Sequence, residues 1–210
     1  MNIRHVILDF DMTLVNSLPT ITLGLNRLAR HFGLKEVNET EVMAVMHLDC
    51  QAMWSGLWGA YDPLWHDFFI TRVVGEEKNH LTVLPGALDL LKDLKKKGLS
   101  LALATNRDRP WEALASVSLA PYFDSAAGAL EVPRPKPAPD MLWLVMERLQ
   151  ADPEQTIFVG DAPSDMTAAA RAGVRGVGIL EGGGTPEELQ AAGAWQIRAA
   201  LPDLADLWSS

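Results

Sequence analysis

The sequence predicts an α/β protein, a doubly wound parallel sheet of Rossmann-like layout with an inserted helical lobe. Three observations carry that prediction. Short apolar runs alternate with amphipathic stretches; several of those runs end in acidic or hydroxyl residues; and residues 17–82 carry helical patterning with no convincing strand.

Taken in order, residues 3–8 (IRHVIL), 99–104 (LSLALA), 156–160 (TIFVG) and 174–180 (VRGVGIL) read as strands. Each is short, rich in aliphatic residues and apolar at successive positions, as a strand buried on both faces requires. Helical segments lie between them: 86–97 (GALDLLKDLKKK), 110–119 behind Pro110, 138–150 (APDMLWLVMERLQ) and 165–173. Gly98 and Gly173 stand where two of these helices should stop, because glycine enters the left-handed conformation cheaply. Lys95 to Lys97 read as cations completing the last turn of a helix, where they complement its dipole. Strand, helix, strand in repetition builds a parallel sheet with helices on both sides.

The segment ITLGLNRLARHFGL and the stretch from Glu39 to Trp58 have helical spacing throughout. A plain crossover between parallel strands does not need so long a connection, so residues 17–82 are expected to form a separate helical lobe. The core is then 1–16 with 83–210, joined to the lobe by hinges near 16–20 and 80–85. Trp54 and Trp58 lie one helical turn apart, with Trp65, His47 and His66 close in sequence. Aromatic residues at that spacing predict the lobe's own small core; the sharper alternative is that one or two shape a leaving-group pocket. No internal repeat is present, and the one biased tract, EVPRPKPAP at 131–139, reads by itself as a polyproline-type connector.

Composition limits the function classes. The chain has 210 residues, 48% hydrophobic and 21% charged, with a mean hydropathy of +0.05 and a formal charge of −9. That balance argues against general nucleic-acid binding, which needs a basic face. No apolar run reaches the roughly 20 residues of a membrane span, and Arg4, His5 and Asp9 break up the first one. Cys50 is the single cysteine, so no internal disulfide is possible and a reducing, cytoplasmic setting is expected.

The polar residues at the strand ends carry the functional argument, because open parallel sheets bind ligands beyond the carboxyl ends of their strands. The first strand delivers Asp9, Asp11 and Thr13; the second delivers Thr105 and Asn106; the third delivers Asp161, with Asp165 four residues on. Lys136 sits in the proline-rich loop. Four carboxylates brought together raise one another's pKa unless a cation neutralises them. Mg²⁺ suits the task, since it takes oxygen ligands and is commonly held by one or two carboxylates plus a substrate phosphate. A lysine then meets a further phosphoryl oxygen as a point charge, and of two adjacent aspartates one attacks while its neighbour handles the proton. Each signal has a plainer alternative. An Asp-x-Asp after a strand is also a turn or helix-cap pair, Thr105 and Asn106 by themselves read as a turn, and a lysine among prolines reads as a solvated linker charge. Coincidence at one predicted edge favours the site.

At these residues the chain resembles the haloacid dehalogenase superfamily of aspartate-nucleophile phosphotransferases. DFDMTLVNS is similar to its first motif, ATN at 104–106 to its second, RPKPAPD to its third and VGDAPSD to its fourth. The helical insert resembles the small cap of the phosphoglycolate phosphatase and β-phosphoglucomutase branch, and GILEGGGTPEELQAAGAWQI resembles the phosphoglycolate phosphatase-like group. The resemblance implies that Asp9 is the nucleophile and forms an aspartyl-phosphate. It implies that Asp11 is the general acid and base, its backbone carbonyl also a metal ligand. Thr105 with neighbouring groups such as Asn106 would bind the phosphoryl group, Lys136 would neutralise charge on it and on Asp9, and Asp161 and Asp165 would complete the Mg²⁺ site. The implied activity is hydrolysis of a small phosphorylated metabolite, phosphoglycolate first, with the lobe as a lid and the protein a monomer or weak homodimer. Two alternatives stand beside it: a sugar-phosphate mutase resembling β-phosphoglucomutase, and a non-enzymatic binding module. Two positions depart from the family pattern, Met12 where glycine is usual and Asn16 where aspartate is frequent; both bear on substrate choice more than on catalysis.

Overall fold

The computed structural model describes residues 2–46, 48, 50–69, 71 and 81–208. It contains two compact units, one of Met1–Val15 with Val83–Ser210, the other of Asn16–Thr82. In chain order the strands are β1 (His5–Leu8), β2 (Val15–Asn16), β3 (Thr82–Val83), β4 (Ser100–Ala104), β5 (Ser125–Ala127), β6 (Thr156–Gly160), β7 (Arg175–Ile179) and β8 (Gln196–Arg198). The α-helices are α1 (Leu18–Phe32), α2 (Glu39–Met43), α3 (Cys50–Trp58), α4 (Pro63–Phe68), α5 (Ala87–Lys96), α6 (Pro110–Ser116), α7 (Asp140–Leu149), α8 (Pro163–Ala172) and α9 (Pro186–Ala191).

The larger unit is built on a six-stranded sheet in the order β5-β4-β1-β6-β7-β8, and every pairing in it is parallel. Register explains what the sheet does for function. Leu8 lies level with Leu103 on one side and with Val159 on the other. The residues that follow these three therefore leave the sheet at one edge, on the central strand and its two neighbours. β1, β4 and β6 are buried almost end to end, as the apolar runs require when helices cover both faces. Ile7, Ala102, Phe158, Met141, Leu142, Val145 and Ala169 meet in one apolar layer between sheet and helices.

The helices follow their apolar spacing. In α5 the buried residues are Ala87, Leu90, Leu91 and Leu94, one face at three- and four-residue intervals. Gly98 and Gly173 take φ of 77° and 75°, which ends α5 and α8 as expected. Two strands of this six-stranded sheet escape the sequence reading. β5 is an Ser-Ala-Ala segment with weak strand propensity, and β8 is a three-residue, half-buried segment at the sheet's edge. β2 and β3 form a separate two-stranded sheet, so Thr82 is in a strand where only helix was expected.

In the smaller unit α1 buries Leu18, Leu25, Leu28 and Ala29, and α2 starts from a capping box between Asn38 and Glu41. Trp54 is fully buried, its ring centroid 5.7–6.5 Å from those of Trp58, Tyr61, Trp65, His66 and Phe69. It is the core of this unit's aromatic cluster; Trp58 and Trp65 are half-buried around it, Trp58 donating from Nε1 to the Lys35 carbonyl at 2.9 Å. His47, and His80 at the second expected hinge, lie outside the described residues. Among the described residues no helix is long and apolar enough to cross a membrane.

Candidate active site

Asp9 follows β1 directly, and its backbone N–H continues the sheet by donating to Val159 O at 2.9 Å. The chain then turns sharply. Phe10 O accepts from the N–H groups of Leu14 and Val15, and Met12 N–H donates to Val15 O at 2.8 Å. That turn holds Met12 at φ 57°, a left-handed conformation that glycine takes without penalty and methionine does not. Met12, where the resemblance predicts glycine, is thus in a backbone state that glycine adopts freely, and its side chain is buried.

Lys136 comes from the proline-rich tract, which is no solvated linker. Asn106 draws the loop inward by a reciprocal pair of bonds, accepting from Lys136 N–H at 3.0 Å and donating from Nδ2 to Lys136 O at 3.2 Å. The lysine side chain is only 3% exposed, and its Nζ reaches Asp9 Oδ1 at 2.6 Å, Asp165 Oδ1 at 2.7 Å and the Ala104 carbonyl at 3.0 Å. Asn106, expected at the phosphate, therefore directs its side chain at the loop that carries Lys136. Thr105 is buried at the end of β4 with its Oγ1 accepting from Arg107 N–H at 3.2 Å.

Asp161 and Asp165 flank the start of α8. Asp165 accepts from the Ala162 N–H, which closes the helix's first turn, and Gly160 is required because a Cβ there would run into the Asp165 carboxylate. Asp161 accepts from Thr13 Oγ1 at 2.9 Å and from Gly183 N–H at 3.3 Å. The glycine run 182–184 folds directly over Asp161: a Cβ at Gly182 would collide with its carboxylate. Thus the GGG tract, noted in the sequence only as a resemblance, has a steric function.

Asp9, Asp161 and Asp165 are all buried, with ligand oxygens within 4.8 Å of one another. Their electrostatics show an excess of negative charge. Burial pushes Asp9 well above the usual carboxylate range; Lys136 pulls it down, while Asp165, Asp161 and Asp11 push it up again. Burial, then the neighbouring Asp165, raises Asp161 to about 7. Burial alone would lower Lys136, but Asp165 and Asp9 outweigh it and hold the ammonium firmly protonated. One ammonium among three carboxylates leaves the cluster short of positive charge. The donor set is all oxygen, compact and anionic, which fits a hard divalent cation.

Asp11 is not in this cluster. Its two carboxylate oxygens face Arg107, whose Nε donates to Oδ2 at 2.8 Å and whose terminal nitrogen donates to Oδ1 at 2.7 Å. The guanidinium carbon also lies 5.3 Å from the Phe10 ring centroid. Arg107 escaped the sequence reading, although a cation two residues after Thr105 at a strand end of an acidic protein was a usable signal.

A parallel sheet with three buried aspartates and a buried lysine at the carboxyl edge of its central strands is the layout of an α/β enzyme with an acidic, cation-binding site. The chain belongs to the haloacid dehalogenase-like hydrolase family, whose model matches residues 6–179, and within it to the phosphatases. It is 31% identical to a phosphoglycolate phosphatase of Pseudomonas putida, over 97% of this chain and 80% of that one. It is 32% identical to a phosphoglycolate phosphatase of Salmonella typhimurium, over 86% of this chain and 82% of the relative. Among solved structures, a haloacid dehalogenase-like hydrolase from Streptococcus pneumoniae superposes with a TM-score of 0.87 over 99% of both chains at 18% identity, which shows the shared fold.

Proposed function

We propose that this protein is a Mg²⁺-dependent phosphatase that hydrolyses a small phosphomonoester, phosphoglycolate first among the candidates, through an aspartyl-phosphate on Asp9. The observation that carries the proposal is the Asp9–Lys136 contact of 2.6 Å at the carboxyl edge of the sheet, with Asp161 and Asp165 beside it. The relatives named phosphoglycolate phosphatase support the choice of substrate.

In this reading an Asp9 oxygen attacks phosphorus while the bond to the leaving oxygen breaks, and Asp11 gives that oxygen its proton. Asp11, now a carboxylate, takes a proton from water; the water oxygen attacks phosphorus, the Asp9–phosphorus bond breaks, and inorganic phosphate leaves. Lys136 and Thr105 hold the phosphoryl oxygens throughout, Lys136 through charge and Thr105 through its hydroxyl and N–H. Asp9, the Asp11 carbonyl, Asp161 and Asp165 would hold Mg²⁺. When bound, the ion supplies neutralisation of the phosphoryl charge against the acidic cluster.

The test is phosphate release from a panel of phosphomonoesters with Mg²⁺ or with EDTA, for the wild type and Asp9→Asn. Release that needs Mg²⁺, favours 2-phosphoglycolate and disappears in Asp9→Asn is the expected result. Undiminished turnover in Asp9→Asn, or none by the folded wild type on any ester, would refute the proposal.

A further inference from the structure

Among the described residues, the bidentate pair between Arg107 and Asp11 is a strong charge pair at the site edge whose guanidinium the proposed chemistry does not use. Its geometry conflicts with the duty given to Asp11. A general acid must turn an oxygen toward the ester's bridging oxygen, yet both Asp11 oxygens are engaged by the guanidinium, at 2.8 and 2.7 Å. The pair is also reachable: the two side chains are 19% and 26% exposed, unlike the sealed Lys136–Asp9 contact. Something has to displace Asp11 before it can act.

We propose that the displacing group is an anion on the substrate's own leaving group, so that Arg107 selects phosphate esters of hydroxy acids and frees Asp11 when such an ester binds. This rests on the phosphatase reading and deepens it. The distances follow from the chemistry. Asp11 must stand within hydrogen-bond reach of the bridging oxygen, and in 2-phosphoglycolate the carboxylate carbon is two bonds from that oxygen. A guanidinium touching Asp11 is therefore within reach of the substrate carboxylate. A substrate carboxylate is the same acceptor as the Asp11 carboxylate, and arginine's planar fork binds either one in the same two-point manner. Exchange of one for the other conserves charge and the two hydrogen bonds at Arg107. The released Asp11 carboxylate, now beside an anionic phosphate and no longer paired with the guanidinium, takes from water the proton that it gives to the leaving oxygen. An ester with a neutral leaving group offers no such exchange and leaves Asp11 held. Phe10 beneath the guanidinium and Gly128, whose missing Cβ lets the Arg107 carbonyl accept from Ala129 N–H at 3.0 Å, keep the arginine at this place.

The experiment compares 2-phosphoglycolate with its uncharged amide in the wild type, Arg107→Lys and Arg107→Gln, and reads the ratio of the two kcat/KM values. The wild type is expected to prefer the acid by roughly 10- to 100-fold, in line with loss of a partly buried charged contact. That ratio should collapse toward one in Arg107→Gln and fall to an intermediate value in Arg107→Lys, which keeps the charge and loses the fork. Because a ratio is read, general damage to the fold does not mimic the effect. A wild type that hydrolyses acid and amide equally, or a ratio untouched by both substitutions, overturns this inference and leaves the phosphatase reading intact. A folded wild type that hydrolyses neither overturns both.

Discussion

Lys136 Nζ sits 2.6 Å from Asp9 Oδ1, and both side chains are nine-tenths or more buried. Removing one partner of such a pair leaves a buried charge without compensation, which costs about 3–5 kcal/mol. Lys136→Met should therefore destabilise the protein by about that much in denaturant titration in EDTA. Excess Mg²⁺ should restore part of the loss, because it replaces the missing positive charge. Phosphate release should fall by roughly 100-fold or more. A metal-free stability equal to wild type would show that the pair is not what compensates Asp9.

The raised pKa of Asp161 makes a prediction about pH. Its value is about 7 in the folded protein against 3.8 ordinarily. Between these values the folded state keeps a proton that the unfolded chain has released, so this group favours folding below about pH 4 and progressively less up to pH 7. The upward shift of Asp9 has the same sign. In EDTA the melting temperature should fall from pH 5 to pH 8, with a smaller fall in Asp161→Asn. Mg²⁺ should stabilise more at pH 8 than at pH 5, since its ligands must be ionised. Melting curves at several pH values, with and without Mg²⁺, decide it. A metal-free melting temperature that climbs across the same window, equally in both proteins, would be the contrary result.

Met12 pairs a left-handed backbone, φ 57°, with a buried side chain. Met12→Ala loses the burial and keeps the strain, for a cost of about 2–5 kcal/mol. Met12→Gly loses slightly more side chain but removes a penalty of about 1–2 kcal/mol. The glycine variant is expected to be the more stable of the two, the reverse of the usual order in ordered backbone. Chemical denaturation of the three proteins checks the ranking; alanine above glycine would mean that the strain is negligible.

Gly182→Ala places a methyl group against the Asp161 carboxylate. The carboxylate has to move, breaking its bonds from Thr13 and Gly183. Mg²⁺ affinity should fall by roughly 10- to 100-fold, the usual effect of disturbing a ligand's supporting bonds. Calorimetric titration with Mg²⁺ measures it. Gly173→Ala, in a helix end with open space around it, is the control that should leave the affinity unchanged.

Much of the larger unit was legible in the sequence, and for a local reason. β1, β4, β6 and β7 are continuous apolar runs, and α5 and α8 stop at glycines, so composition over a few residues identifies them. β5 and β8 were not legible, because three residues of alanine and serine, or of half-buried polar side chains, become strands only when a neighbouring strand offers its hydrogen bonds. Asp9, Asp161 and Asp165 could be placed from strand ends, since parallel register brings those ends level. Their grouping with Lys136 followed from four short motifs in one order.

By itself, then, the sequence determined a parallel α/β core and the acidic and cationic residues at its carboxyl edge, through patterns that each span only a few positions. Tertiary structure alone decided what those residues touch. Arg107 and Asp11 are 96 residues apart, Lys136 and Asp9 are 127 apart, and Thr13 and Asp161 are 148 apart. No local pattern records such pairs. They exist because hydrogen-bonded register between β1, β4 and β6 sets three strand ends side by side, and because a buried polar group is costly without a hydrogen-bond or charge partner.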